Sequence, residues 1–304
     1  MAPITRHYGI TTPVPFVDVD VNVDNAIFID PYAIRLDRSA NPFAAQANFY
    51  TETYFREVTR CALSRNGFDR QTGLRLLQRF IEPWETRLGL ASNSFSGHGG
   101  AEEVGTWIWN TLTTDVEALL RVGLLRQIEN LPLFVEGIDR DITSDITTRI
   151  IFESLADFTA TMMTRYPQFA ASGHRVGAFE RQVWDPHNRE WTTKVFDLPV
   201  AAGKPLLLVP RSWARKTLLM SAGRYYETSV LSYAQLEQAV LSSTGKLLTT
   251  PKYELRKQNG LGRGRNTNLS VTFRAHKNDD DLLSLFKSFV DARWERTDQS
   301  QQVA

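Results

Sequence analysis

The amino-acid sequence predicts an α+β fold that is rich in helices, with a short antiparallel β-meander and an N-terminal strand or hairpin. Apolar residues recur at helical spacing through most of the segment 42–166. Near the N-terminus, valines alternate with acidic or amide residues, which is the period of a strand with one buried face. After Pro167, turn signals separate runs of β-branched and aromatic residues, as in a meander.

The composition is that of a globular protein and limits the classes of function. Of the 304 residues, 42% are hydrophobic and 23% are charged, which is enough apolar material for a sizeable core. The net charge is +1, so any basic or acidic bias is local. The single cysteine, Cys61, excludes a disulfide framework and favours a reducing compartment. Since we find neither a secretory signal nor a run of membrane-spanning length, we expect a cytoplasmic protein without a membrane partner.

The N-terminal part is predicted to be mostly helical. The alternation over 17–24 predicts a half-buried strand or hairpin. Its acidic face, with Asp18, Asp20 and Asp24, could hold a cation, although such a face is more often solvated. Asp30 before Pro31 predicts a turn after it. A short apolar run at 131–135 predicts a buried strand. Helices are predicted over 42–65, 71–81, 101–125 and 142–166.

The C-terminal part changes character. An antiparallel meander is predicted over 181–210, with turns at 185–188 and 201–204, and Trp184 and Trp191 would pair across its first two strands. Further helices are predicted over 212–219, 225–241 and 279–296. The change near Pro167 predicts two regions, 1–166 and 167–304, with a single domain as the alternative.

The segment LFVEGIDRDITSDITTRIIF at 133–152 holds more carboxylates than the start of a helix requires. They are Glu136, Asp139, Asp141 and Asp145. Capping by Asp141 and an ion pair between Asp145 and Arg149 would explain part of the cluster, with capping terms of about 0.5–2 kcal/mol. The excess also suits the hard oxygen ligands that Mg²⁺ or Mn²⁺ requires. Both interpretations remain open at this point.

Several common enzyme signatures are missing. The histidines are scattered, with no HExxH motif and no metal-type pairing with Cys61, which argues against a zinc site. The sequence also lacks a GxSxG elbow and a GxGxxG that follows a strand.

The segment 246–277 is strongly basic, with eight lysines and arginines against one acid. Its flexible NGLGRGRNTN stretch suits contacts with phosphate groups. The residues that we expect to contact a nucleic-acid backbone are Lys252, Arg256, Lys257, Arg263 and Arg265. The alternative is a solvated surface, because charge of this kind alone gives only non-specific, salt-sensitive affinity.

Three stretches together resemble a pattern found in uncharacterised prokaryotic proteins. These stretches are AIFIDP at 26–31, VEGIDRDITSDITTRII at 135–151 and DLPVAAGKPLLLVPRSWAR at 197–215. The chain departs from the G-x-D-x-I-S-D centre of that pattern by Thr143, an extra polar residue before Ser144. The resemblance implies a phage-defence or mobile-element context. By position it carries over Asp30, Glu136, Asp139, Asp145, Arg211 and Arg215.

These observations predict an antiviral-defence-type protein that acts on nucleic acid, with divalent-metal-dependent nuclease activity as the reaction. The expected metal ligands are Asp30, Glu136, Asp139 and Asp145. The expected catalytic residues are Asp145, Glu136, Asp139, Arg211 and Arg215, where the arginines stabilise charge on the phosphoryl group. One alternative is a non-catalytic sensor or scaffold subunit that binds nucleic acid or a partner protein. Another is an enzyme that acts on a small phosphorylated ligand.

Overall fold

The computed structural model describes residues 2–39, 42–90, 100–113, 127–171 and 173–302. The predicted α+β, helix-rich class is confirmed. The helices are α1 (Ile4–Tyr8), α2 (Pro31–Leu36), α3 (Phe43–Leu63), α4 (Gly67–Gln78), α5 (Gly100–Thr113), α6 (Leu131–Phe134), α7 (Arg140–Ile150), α8 (Phe152–Arg165), α9 (Ala222–Tyr225), α10 (Leu231–Glu237), α11 (Lys252–Leu255), α12 (Arg265–Lys277) and α13 (Leu282–Gln302). The strands are β1 (Phe28–Ile29), β2 (Val176–Asp185), β3 (Glu190–Ala201), β4 (Lys204–Pro205), β5 (Ala214–Arg215), β6 (Val240–Leu241) and β7 (Leu247–Leu248).

The chain divides into two compact units. The first comprises Met1–Glu129 and Gly137–Leu218, and the second comprises Asn130–Glu136 and Leu219–Ala304. The boundary expected after residue 166 therefore falls inside the first unit. The physical reason is that β2 and β3, which follow Pro167, pack against α8, which precedes it.

The predicted meander is present in the first unit as the antiparallel sheet β2-β3-β4. Trp184 and Trp191 lie opposite each other in the β2–β3 register, with ring centroids 5.9 Å apart in an edge-on arrangement. Their indole nitrogens donate to the Thr53 hydroxyl at 3.0 Å and to the Leu76 carbonyl at 2.9 Å. The tryptophan pair thus fastens the sheet to α3 and α4.

The predicted helices agree with the structure most closely where the apolar pattern is longest. Helix α3 corresponds to the helix predicted over 42–65, and α4 corresponds to the one predicted over 71–81. Helix α5 corresponds to the start of the helix predicted over 101–125. The rest of that last prediction, 114–126, lies outside the described residues. The single helix predicted over 142–166 is two helices, α7 and α8, because the chain departs from helical backbone geometry at Ile151 (φ −93°, ψ 13°).

Two short elements were predicted with the wrong type. The apolar run 131–135 forms helix α6 rather than a strand, and Pro132 in its first turn is compatible with a helix start. The helix predicted over 212–219 is a 3₁₀ turn at Arg211–Trp213 followed by β5, which pairs with β1. Residues 214 and 215 form a strand rather than a helix because they pair with β1, which is far away in the sequence.

The alternating segment 17–24 forms one isolated bridge, between Pro3 and Asp20, rather than a continuous strand. The periodicity still identified buried positions, because Val19 and Val21 are in the core while Val23 is 55% exposed. The carboxylate of Asp18 accepts hydrogen bonds from the backbone nitrogen and the hydroxyl of Thr5. The backbone hydrogen bonds of 17–24 go to two different segments, because Val21 donates to the Ala2 carbonyl while Val17 donates to the Val209 carbonyl, so no continuous ladder forms.

A buried arginine joins three parts of the first unit. Arg149 of α7 is 1% exposed, and its Nε donates to the Ile81 carbonyl at 2.6 Å. Its two terminal nitrogens donate to the carbonyls of Glu82 at 3.1 Å and Gln182 at 3.2 Å. The buried Glu85 carboxylate lies 3.6 Å from the same guanidinium. The predicted pairing of Arg149 with Asp145 is therefore wrong, because carbonyls and Glu85 satisfy the guanidinium.

The second unit is organised around Tyr225. The rings of Phe134 and Phe286 lie 5.5 Å and 5.1 Å from its ring centroid, and its hydroxyl bonds to Thr272 at 2.7 Å. A π-helical turn at Tyr226–Val230 joins α9 to α10. Strands β6 and β7 form a small antiparallel hairpin. Among the described helices, none combines the length and apolar character needed to cross a membrane.

Replacing Arg149 with methionine should lower the free energy of unfolding by about 3–5 kcal/mol, because Glu85 and three carbonyls would lose a buried partner. Urea denaturation followed by tryptophan fluorescence measures the change. The control is Arg56→Met at an exposed position of α3, where a change within about 0.5 kcal/mol is expected. Equal effects of the two substitutions would contradict a central role for Arg149.

Candidate functional site

Asp30 is a buried helix cap. Its carboxylate accepts hydrogen bonds from the backbone nitrogens of Tyr32 at 3.0 Å and Ala33 at 3.4 Å, at the start of α2. Its own nitrogen donates to the Trp213 carbonyl at 2.8 Å. Asp30, which we predicted as a metal ligand, therefore caps α2 with its carboxylate. Its backbone nitrogen joins the start of α2 to the segment just before β5.

Asp139 is the N-cap of α7, and the prediction that Asp141 fills this position is wrong. The Asp139 carboxylate accepts from the nitrogens of Asp141 at 3.0 Å and Ile142 at 3.1 Å, so the helix begins at Arg140. Asp139 is exposed, as expected for a cap at the surface. Glu136, the remaining carboxylate of the predicted cluster, is an exposed residue of the second unit.

Four carboxylates from three separate segments line one small cavity in the first unit. The residues, which we call the acidic cavity, are Asp24, Glu82, Asp141 and Asp145. The cavity has a volume of about 40 Å³. Its remaining wall comes from Pro83, Trp84 and residues 88–90. Of the carboxylates predicted as metal ligands, the structure places Asp145 here.

Helix α7 supplies two of these carboxylates. Asp141 and Asp145 are one turn apart and therefore lie on the same side of the helix. On that side the backbone of residues 89 and 90 approaches closely, and the Leu90 nitrogen donates to Asp141 at 3.3 Å. Gly89 has φ +124°, and a Cβ there would lie 3.0 Å from the Asp141 carboxylate. Glycine therefore permits the close approach that narrows the cavity.

Asn25 brings Asp24 to the same place. The Asn25 backbone nitrogen and side-chain amide both donate to the Arg87 carbonyl, at 2.9 Å and 3.0 Å. The Gly89 nitrogen donates to the Asn25 carbonyl at 3.0 Å. Glu82 is positioned from the other side, because its carbonyl is held by Arg149.

The acidic cavity carries more negative charge than its surroundings neutralise. Burial raises the pKa of Asp145 well above its ordinary value, and the carboxylates of Asp141 and Glu82 raise it further. Burial is also the main cause of the raised pKa values of Asp141 and Glu82. The Asp145 carboxylate accepts no hydrogen bond from any residue that the structure describes. Such a group holds a proton or attracts a cation.

The carboxylates do not form a closed metal site as they stand. Within the described ranges, no three acidic, histidine or cysteine side chains are grouped closely enough to hold a metal ion. Mg²⁺ is commonly bound by one or two carboxylates, with water and substrate phosphate completing its shell. The arrangement therefore suits a cation that arrives with a phosphorylated substrate better than a cation held by protein groups alone.

Basic residues of two chain segments lie near the start of α7. The Arg140 guanidinium donates to the Lys216 carbonyl at 3.2 Å and lies 4.7 Å from the Phe28 ring centroid. Arg215 is opposite Phe28 in the β1–β5 register. We call Arg140, Arg215 and Lys216 the cationic rim. The predicted Arg215 thus lies near the start of the helix that carries Asp141 and Asp145, while Arg211 is exposed in the preceding 3₁₀ turn.

Much of the charge in the predicted nucleic-acid-binding segment is paired locally. Lys252 donates to the Glu227 carbonyl at 2.6 Å, and Arg256 forms an ion pair with the Glu227 carboxylate. Lys257 pairs with Glu254 at 3.1 Å. The other predicted contacts are Arg265, which donates to the Pro132 carbonyl, and the exposed Arg263. A role of this segment in nucleic-acid binding stays a prediction.

Sequence reasoning missed Glu82 as a site residue, and it placed Asp24 on a strand face that is more often solvated than cation-binding. Neither lies near 133–152 in the sequence, and contacts of Asn25 and Arg149 help to bring them to α7. One local signal was available. Glu82 stands beside Pro83 in the stretch RFIEPW, where a charge interrupts an otherwise apolar run.

A family model described as "Domain of unknown function (DUF8370)" matches residues 10–221. This is more than half of the chain, so the chain belongs to that family. The match contains all four carboxylates of the acidic cavity and the whole cationic rim, and it ends close to the end of the first unit. Searches of curated proteins and of solved structures found no match. The family description names no activity, so the resemblance to defence-associated proteins stays a prediction.

The raised pKa of Asp145 predicts a pH-dependent stability. A carboxyl group whose pKa is higher in the folded than in the unfolded chain binds more protons when folded, so stability falls as the pH rises above about 4. We expect Asp145→Asn to flatten this fall and to make the protein more stable than wild type at pH 8. Denaturant midpoints at pH 5 and pH 8, measured with a chelator present, test this.

The control for that experiment is Asp157→Asn on the exposed surface of α8, which should leave the pH dependence unchanged. If Asp145→Asn and wild type lose stability equally between the two pH values, the carboxyl does not carry the proposed excess of charge.

Proposed function

We propose that this chain acts on nucleic acid as a divalent-metal-dependent phosphodiesterase of the antiviral-defence type, with the acidic cavity as its reaction site. One observation carries the proposal. Asp145 has a raised pKa and accepts no hydrogen bond from the described residues, although it shares a 40 Å³ cavity with three further carboxylates. Gathering like charges in this way costs stability, and a divalent cation would offset that cost.

In this proposal Asp141 and Asp145 bind the cation together with a substrate phosphate and water molecules. A water molecule would attack phosphorus while Glu82 accepts its proton, and the bond from phosphorus to the leaving oxygen would break. Asp30 and Asp139 keep their capping functions. The proposal thus retains Asp145 from the predicted ligand set and adds Asp141 and Glu82.

The cationic rim supports the choice of a phosphodiester substrate. Arg140 directly precedes Asp141 in the chain, and the Lys216 carbonyl accepts a hydrogen bond from Arg140. Guanidinium and ammonium groups at this point would hold the phosphate backbone and stabilise charge on the phosphoryl group. An enzyme that acts on a small phosphorylated ligand would use the same carboxylates and is the alternative substrate class.

The second candidate function is a non-catalytic subunit that binds nucleic acid or a partner protein. It is favoured by the finding that no metal-holding group is formed among the described residues. The carboxylates would then share protons, and the cationic rim would bind the phosphate backbone without cleavage.

We expect Mg²⁺- or Mn²⁺-dependent cleavage of labelled DNA or RNA, in single- or double-stranded form. Asp145→Asn should lower the rate at least about 100-fold, as for loss of a principal transition-state contact. The matched control is Asp157→Asn, which also removes one carboxylate but lies outside the acidic cavity. Cleavage that persists in Asp145→Asn, or that is unaffected by chelators, would mean that the acidic cavity is not the site of a metal-dependent reaction. Binding without any cleavage would support the non-catalytic subunit.

Nucleic-acid affinity should depend on the cationic rim. For Arg140→Ala combined with Lys216→Ala, we expect weaker binding and a salt dependence (log K against log salt) that is shallower by about 0.9 per lost phosphate contact. The comparison is Arg256→Ala, whose guanidinium is already paired with Glu227. Fluorescence anisotropy at several salt concentrations measures both variants. A larger effect of Arg256→Ala would indicate that the nucleic-acid backbone binds to the segment 246–277 instead.

A further inference from the structure

The β6–β7 hairpin of the second unit exposes an unusual amount of aliphatic surface. Val240, Leu241, Leu247 and Leu248 are 60%, 73%, 49% and 48% exposed. Each strand has only two residues, so the hairpin gains little stability from its own pairing. Contiguous exposed apolar residues of this kind usually mark a surface that another molecule covers.

An open apolar groove of about 640 Å³ lies in the same unit, between α10 and α13. Tyr233, Phe286 and Phe289 contribute aromatic rings to it. Leu236 and Leu285 also line the groove and remain 64% and 62% exposed. Leu236 precedes the first strand of the hairpin by four residues, so the groove lining and the hairpin are neighbours along the chain.

The hairpin and the groove carry opposite charges that have no ion-pair partner in the described chain. Lys246 lies in the hairpin turn and is exposed. Asp280 lines the groove and is also exposed. The groove contains two further charged residues, and both have partners within the chain. Glu237 pairs with Arg274 at 2.7 Å, and the Lys252 ammonium donates to the Glu227 carbonyl at 2.6 Å and to the Ser232 hydroxyl at 2.8 Å.

We propose that the hairpin of one copy packs into the groove of a second copy, so that the chain forms a homodimer through its second unit. Lys246 of each copy would pair with Asp280 of the other. A two-fold interface requires one surface that is complementary to itself. Here the second unit supplies both halves, an apolar hairpin with the exposed Lys246 and an apolar groove with the exposed Asp280.

The charges provide a test that does not disturb either apolar surface. Sedimentation equilibrium of the full chain should give a dimer for the wild type. Lys246→Glu and Asp280→Lys, each alone, place like charges together and should weaken the dimer at least about tenfold. The double variant restores opposite charges and should recover most of the affinity. Recovery of this kind is not expected if the single variants act by misfolding.

A second variant tests the apolar contact. Leu241→Ser should also weaken the dimer, whereas Thr249→Ser, just beyond β7, should leave it unchanged. A wild-type protein that stays monomeric up to about 100 μM, or a double charge variant as weak as the single ones, would overturn the proposal. These variants lie outside the acidic cavity and the cationic rim, so the result is independent of the cleavage assay.

Discussion

The first unit depends on the way that one buried guanidinium is satisfied. Arg149 is 1% exposed, and removing a charged group from water is costly unless every donor finds a partner. Carbonyls from the loop after α4 and from β2, together with Glu85, supply those partners. The helix α7, that loop and the meander therefore have to meet at one point. Their arrangement sets the position of Glu82, whose carbonyl is one of the acceptors.

The acidic cavity follows from the same constraint. With Arg149 turned towards the carbonyls, Asp145 is left without the i,i+4 partner that its spacing suggested. Asn25 and Gly89 then bring two further chain segments against the same side of α7. The result is a set of carboxylates whose pKa values are raised mainly by burial. Stability alone does not account for such an arrangement, which is why it is the best candidate for the functional site.

The two units offer different kinds of surface. The first contains the acidic cavity and cationic rim and coincides largely with the segment 10–221 that the family model matches. The second has an exposed apolar hairpin beside an apolar groove, and several of its basic residues are neutralised by their own neighbours. In our two proposals the chemistry lies in the first unit and the association in the second. Because Arg256 and Lys257 pair with nearby glutamates, the number of basic residues in 246–277 overstated the unpaired positive charge of that segment.

The sequence by itself determined the α+β class, the long helices α3 and α4, and the meander with its Trp184–Trp191 pair, because periodicity and turn chemistry are local properties. It also directed attention to Asp145. Only the tertiary structure decided which carboxylates meet there. Asp30 and Asp139 became helix caps, while Asp24 and Glu82 joined Asp145 through hydrogen bonds between segments far apart in the chain. Burial and long-range partners, which no local pattern encodes, make that distinction.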